Sequence, residues 1–148
     1  MNCYPLLFRP IFKDKVWGGR ALMALGKQLP PGNIGESWEL VDLDSTSVSG
    51  GGGGAEHSLI ENGELAGRPI REAIRLWGRD LLGKTRLTPE GAFPLLVKFL
   101  DAREHLSIQV HPSPTYAAAH KDAHLKTECW YILATSSVNG QQPVIFKG

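Results

Sequence analysis

The chain has 148 residues with a formal net charge of +1, and its 42% hydrophobic and 21% charged fractions are those of a soluble globular domain with one real core. A near-neutral chain without a lysine- or arginine-rich stripe offers no field for nucleic acid, and no apolar run approaches the length of a membrane span. The opening MNCYPLLFRPIFKDK lacks a basic lead and is broken by prolines, so it does not read as a signal peptide; with Cys3 and Cys129 too isolated for a thiolate zinc site or a disulfide framework, a cytoplasmic setting is expected.

Short apolar pieces at 6–12 and 15–17 read as strand, and Gly18-Gly19 reads as a turn. Residues 21–25 allow one helical turn before the breakers Pro30-Pro31-Gly32-Asn33. Residues 35–41 alternate as a strand, and 45–54 form a loop ending in five consecutive glycines. Those glycines read as a flexible hairpin tip, because no helix begins after them to present its dipole to a phosphate. Ile70, Ala73, Ile74 and Trp77 keep helical spacing, in a helix expected to end near Gly83. The segment 78–85, GRDLLGKT, matches the phosphate-loop pattern GxxxxGK[ST], but helical periodicity precedes it where a strand is needed, and proline and glycine follow. A helix end capped by Gly83 is the expected structure there.

From Phe93 the pattern turns to buried strand at 93–100, then a turn, then strand at 106–110. A short helix is expected at 114–124 behind the Ser113-Pro114 start signal. Strand follows at 128–134, a turn at 138–140, and another strand from 143 to 146. Many short strands with one or two short helices favour a mainly β sandwich or jelly roll over a doubly wound fold.

The chemistry concentrates in 107–133. Residues two apart on a strand share a face, so Ser107, Gln109 and His111 project together, as do Lys126, Glu128 and Trp130 on the later strand. Side by side, the two strands would converge an amide oxygen, an imidazole and a carboxylate, the donors a zinc or similar divalent ion accepts. Most Gln-x-His pairs alone are surface or hydrogen-bonding residues. Lys98 strengthens the reading, since an ammonium in an apolar strand needs a partner, although an ion pair with Glu36 or Glu128 would serve equally. His120 and His124 have zinc-compatible spacing but lack the glutamate of HExxH, and are expected to be solvated.

Four ordered blocks, Gly35-Glu36-Ser37-Trp38-Glu39, FPLLVKFLDA at 93–102, LSIQVHP at 106–112 and KTECWYI at 126–132, resemble the class I, zinc-dependent mannose-6-phosphate isomerases of the cupin superfamily. Trp17-Gly18-Gly19 fits as well, and the resemblance extends from about Pro10 to Gly148. It implies a cupin-type jelly roll, incomplete in this chain, with 1–148 as one amino-terminal catalytic-domain portion. It implies Gln109, His111 and Glu128 as ligands of one zinc ion, with a fourth, a histidine, from a strand beyond them. It further implies Lys98 and Ser107 as substrate contacts, Lys126 as a catalytic residue in proton transfer, and a phosphosugar interconverted through a metal-stabilised enediolate. Ser113-Pro114-Thr115 and Leu125 depart from the family pattern, in the connecting segment and not at the ligand positions.

Overall fold

The computed structural model describes residues 2–46, 53–120, 123, 125–137 and 140–146. They divide into two compact units, Met1–Leu106 and Ser107–Gly148. Among the described residues, strand exceeds α-helix. The strands are β1 (Ile11–Gly19), β2 (Ile34–Leu40), β3 (Asp42–Leu43), β4 (Glu56–His57) and β5 (Val97–Leu100). The helices are α1 (Ile70–Trp77), α2 (Arg79–Leu82) and α3 (Pro114–Ala119). None is long and apolar enough to cross a membrane.

In the first unit β1, β2 and β5 form one antiparallel sheet with β2 at its centre. A central strand is covered on both sides, and the first five residues of β2 are all buried. The register sets Lys13 opposite Glu36 and Trp38 opposite Lys98, so these four share one face. Phe12, Ser37 and Phe99 align on the other.

Gly18 and Gly19 end β1 and do not make the expected turn. Their role is close approach: a Cβ on Gly18 would lie 2.4 Å from the Gly35 backbone nitrogen, and one on Gly19 would lie 2.9 Å from the Asp101 carboxylate. The same carboxylate accepts the Ala21 N–H at 2.5 Å, starting the 3-10 turn Ala21–Leu25 where one helical turn was expected. The piece expected at 6–12 is strand only from Ile11. Before it, the chain is held to the segment after β4 by a single bridge, Phe8 to Ile60, and by flanking backbone bonds.

Helix α1 buries Ile70, Ala73, Ile74 and Trp77, the four positions its periodicity marks. Ala73 and Trp77 join Ile60 and Leu65 in the core, with Tyr4 edge-on to Trp77 at 5.0 Å. The helix does not run unbroken to Gly83. Gly78 takes φ 48°, interrupts it, and α2 closes at Gly83 with φ 58°. The phosphate-loop look-alike therefore follows a helix and spans α2, with no strand before it and no helix after it.

A buried carboxylate ties these parts together. Asp42 is 1% exposed and accepts three hydrogen bonds, from Arg71 Nε at 2.6 Å, from His57 Nδ1 at 2.8 Å and from the Phe93 backbone N–H at 2.8 Å. The last bond explains a difference from expectation. Strand was predicted from Phe93, but that N–H serves Asp42, Pro94 has none, and pairing with β2 begins only at Val97.

In the second unit, Ser113 caps α3 by accepting the Tyr116 N–H at 3.2 Å, with Pro114 in the first turn. The helix ends at Ala119, short of the expected 124, while Lys121, Asp122 and His124 lie outside the described residues. So do Gly50–Gly52 of the glycine run, and Val138 and Asn139 of the expected turn. The strands expected at 106–110, 128–134 and 143–146 do not form among the described residues. A strand exists only through ladder bonds to a neighbour, and here Ile108, Val110, Tyr131 and Phe146 stand exposed instead.

Gly18→Ala is expected to cost about 1–3 kcal/mol, the usual range for overpacking against immobile backbone. A urea melt with an unchanged midpoint would mean β1 and β2 do not approach this closely. Arg71 Nη1 also bonds Asp44 at 2.8 Å, and that hydrogen bond holds the Asp44 carboxyl below its ordinary range. A carboxyl lowered on folding stabilises the fold above its unfolded pKa, and the contribution is lost as pH falls through the folded value. Asp44→Asn should therefore lower the urea midpoint at neutral pH, with the gap to the parent protein closing in acid. A gap that stays constant with pH would contradict the pairing.

Candidate active-site residues

Strand β5 places Lys98 opposite Trp38 of β2, with the Lys98 ammonium 3.3 Å from Glu36 Oε1. Of the two ion-pair partners weighed from sequence, Glu36 is the one the first unit supplies. Glu36 is 6% exposed, and its second oxygen, Oε2, accepts the indole N–H of Trp38 at 2.6 Å. A buried carboxylate is tolerable because both oxygens are occupied, one by a cation. Lys13, the register partner of Glu36, turns to Glu56 and lies 4.7 Å above the Trp38 ring. On the opposite face Ser37 donates to Glu39 at 2.5 Å, and Lys27 pairs with Glu39 at 2.8 Å.

In the second unit Glu128 is the common partner of two cationic or titratable groups. Its Oε1 lies 2.7 Å from the Lys126 ammonium, and its Oε2 lies 3.4 Å from His111 Nε2. The expectation that Lys126 and Glu128 project together thus holds at the side chains, without the strand from which it was argued. Ser107 and Gln109 stand exposed outside this ion-paired set.

The donor chemistry suits a divalent ion of borderline softness, with one imidazole nitrogen beside one carboxylate oxygen. Two ligands at zinc–ligand lengths on a tetrahedral ion stand about 3.3 Å apart, close to the spacing of His111 Nε2 and Glu128 Oε2. No group of three histidine, cysteine, aspartate or glutamate side chains with metal-binding spacing occurs among the described residues. Among the described residues of this stretch, the amide oxygen of Gln109 is a further donor of the kind such an ion accepts.

Sequence reasoning passed over Trp38 as a hydrogen-bond donor and the whole Asp42, His57 and Arg71 cluster. The first had a signal: Glu36 and Trp38 are two apart on one strand face, and an indole beside a buried acid needs an acceptor. The second had none in sequence, because its members are 15 and 29 residues from Asp42.

Removing the cation should expose the cost of the buried acid. Lys98→Met is expected to destabilise the chain by about 1–3 kcal/mol, and adding Glu36→Gln should recover part of the loss. Denaturant melts of the two variants check this; a double variant no better than Lys98→Met would remove Glu36 as the relevant partner.

Residues 6–135 match the family model described as phosphomannose isomerase type I, catalytic domain. The chain is 39% identical over 137 residues to mannose-6-phosphate isomerase ManA of Bacillus subtilis, covering 90% of this chain and 38% of that protein. It is 40% identical over 135 residues to the probable mannose-6-phosphate isomerase GmuF of the same organism, covering 88% and 38%. The crystal structure of the mannose 6-phosphate isomerase from Bacillus subtilis aligns with TM-score 0.61 and 32% identity, over 82% of this chain and 34% of that one. The chain spans 38% of the length of these curated relatives.

Proposed function

Since the chain belongs to the phosphomannose isomerase type I family, we propose that it is the amino-terminal part of a zinc-dependent isomerase interconverting mannose 6-phosphate and fructose 6-phosphate. The observation that carries this reading is the pairing of His111 with Glu128, with Lys126 on the remaining oxygen, inside the matched residues. The architecture proposed with it is part of a cupin-type jelly roll, for which the antiparallel sheet of β1, β2 and β5 is the support. A cytoplasmic location suits a phosphosugar substrate.

The reaction moves hydrogen between C2 and C1 of the open-chain sugar. The C2 proton is acidic only because a carbonyl adjoins it, so the charge that develops on the enediolate oxygens must be stabilised. Zinc, when bound, supplies that stabilisation as a Lewis acid. Gln109 through its amide oxygen, His111 through an unprotonated Nε2 and Glu128 through Oε2 would hold the ion. For His111 this requires a neutral ring, the form whose free nitrogen can ligate.

Lys126 is assigned to the protons of the sugar hydroxyls. Its ammonium is oriented by Glu128 at 2.7 Å, and a lysine so held can donate to an oxygen that gains charge and recover the proton afterwards. Lys98 is assigned to the phosphate, as a cation with one of its three N–H donors spent on Glu36. Ser107 is assigned to a phosphate or hydroxyl oxygen of the same substrate.

Zinc titration and a coupled isomerase assay on the longer protein of which this chain is the proposed amino-terminal part test the reading, since the chain alone spans 38% of the length of its relatives. One equivalent of zinc is expected, with His111→Ala and Glu128→Gln each weakening it by at least about tenfold, and with turnover of mannose 6-phosphate lost on chelation. Unchanged zinc affinity in both variants would overturn the ligand assignment. Zinc binding without turnover would assign these residues to a non-catalytic metal-binding cupin module.

A further inference from the structure

We propose that Trp38 is a positioning residue: by fixing the Glu36 carboxylate it sets the Lys98 ammonium toward a phosphate, a role that rests on the isomerase reading for its ligand. The geometry gives the order of dependence. The indole bond to Oε2, at 2.6 Å, is the shorter of the two that Glu36 accepts, and the ammonium bond to Oε1 is 3.3 Å. Trp38 is 3% exposed and carries Lys13 over its ring, so the indole has little freedom to turn. The carboxylate is therefore set by the more rigid partner, and the flexible lysine adapts to it.

Two consequences follow for Lys98. With Oε2 occupied by the indole, Glu36 offers Lys98 one oxygen, and two of the three ammonium N–H groups are left for an anion. Lys13 is directed elsewhere by Glu56, so Glu36 is not divided between two lysines, although its register partner is Lys13. A dianionic phosphate suits a cation that is pre-oriented yet only partly satisfied. Without the indole N–H the carboxylate can rotate, engage the ammonium with both oxygens, and compete with the phosphate.

The test follows the Lys98 Nζ and Trp38 indole N–H resonances of the whole chain by NMR during titration with inorganic phosphate, then with mannose 6-phosphate. Both signals should move with one shared dissociation constant. Trp38→Phe should weaken phosphate about tenfold, and in a Glu36→Gln background it should add no more than about twofold, since the indole acts through the acid. Equal weakening with and without Glu36→Gln would mark Trp38 as merely structural and overturn the proposal, as would unchanged affinity in Trp38→Phe. If phosphate leaves Lys98 unmoved in the parent protein, the assignment of Lys98 to the phosphate fails. The positioning role is then read separately: Trp38→Phe should still shift the Lys98 resonance in the parent background and leave it unmoved in the Glu36→Gln background. If Trp38→Phe does not fold, Lys98→Met must move the Trp38 indole resonance through Glu36, and an unmoved signal overturns the coupling.

Discussion

The first unit is organised around a carboxylate that cannot be left unpaired. Asp42 opens β3, one residue beyond the end of β2, and is removed from water, where an isolated charge would cost several kilocalories per mole. Its donors come from β4, from α1 and from the segment leading into β5. Each donor fixes the approach of one element, so a single acid sets the base of the β3–β4 pair, the seat of the helix and the start of β5. Lys98 is the second residue of β5, and Trp38, its register partner, lies four residues before Asp42. The polar face of the sheet is therefore aligned by a charge cluster just outside it.

A second constraint is steric. Strand β1 lies so close to β2 that a Cβ on Gly18 would stand 2.4 Å from the Gly35 backbone nitrogen, and one on Gly35 would stand 2.6 Å from the side chains of Lys15 and Trp17. In sequence, a glycine pair after a short apolar run is a turn signal, and nothing local distinguishes a turn from a close approach. The distinction depends on which strand lies opposite. Gly83, by contrast, was legible as a helix end because α1 announces itself through its own periodicity, whereas the earlier break at Gly78 was not; φ is positive at both.

The same division runs through the candidate site. Alternation on 126–128 was enough to bring Lys126 and Glu128 together, since side chains two apart meet in any extended backbone. Contact between His111 and Glu128, seventeen positions apart, was legible only through the chemistry of the residue types and the family blocks around them. The strands themselves were not legible as strands in the same sense. Residues 106–110 and 128–134 have the right pattern, yet pattern supplies only the apolar face, and a strand also needs a partner for its N–H and C=O groups. Helix α1, whose hydrogen bonds are internal, carries no such dependence and matched its expectation residue for residue at the buried positions.

Glu36 and Glu128 show how two carboxylates in one chain can be set for different work. Glu36 is buried, has both oxygens engaged by uncontested donors, and so acts as a fixed countercharge that orients a lysine. Glu128 is more open, at 27% side-chain exposure, and divides its oxygens between a permanent cation and a titratable ring. With Lys126 on Oε1, Oε2 faces His111 Nε2, which in the tautomer protonated at Nδ1 is itself an electron-pair donor. Two donors aimed at one another are poor partners for each other and good partners for a cation between them. On the proposed reading, that asymmetry would let one glutamate both hold Lys126 and contribute to a metal centre, whereas Glu36 completes an ion pair.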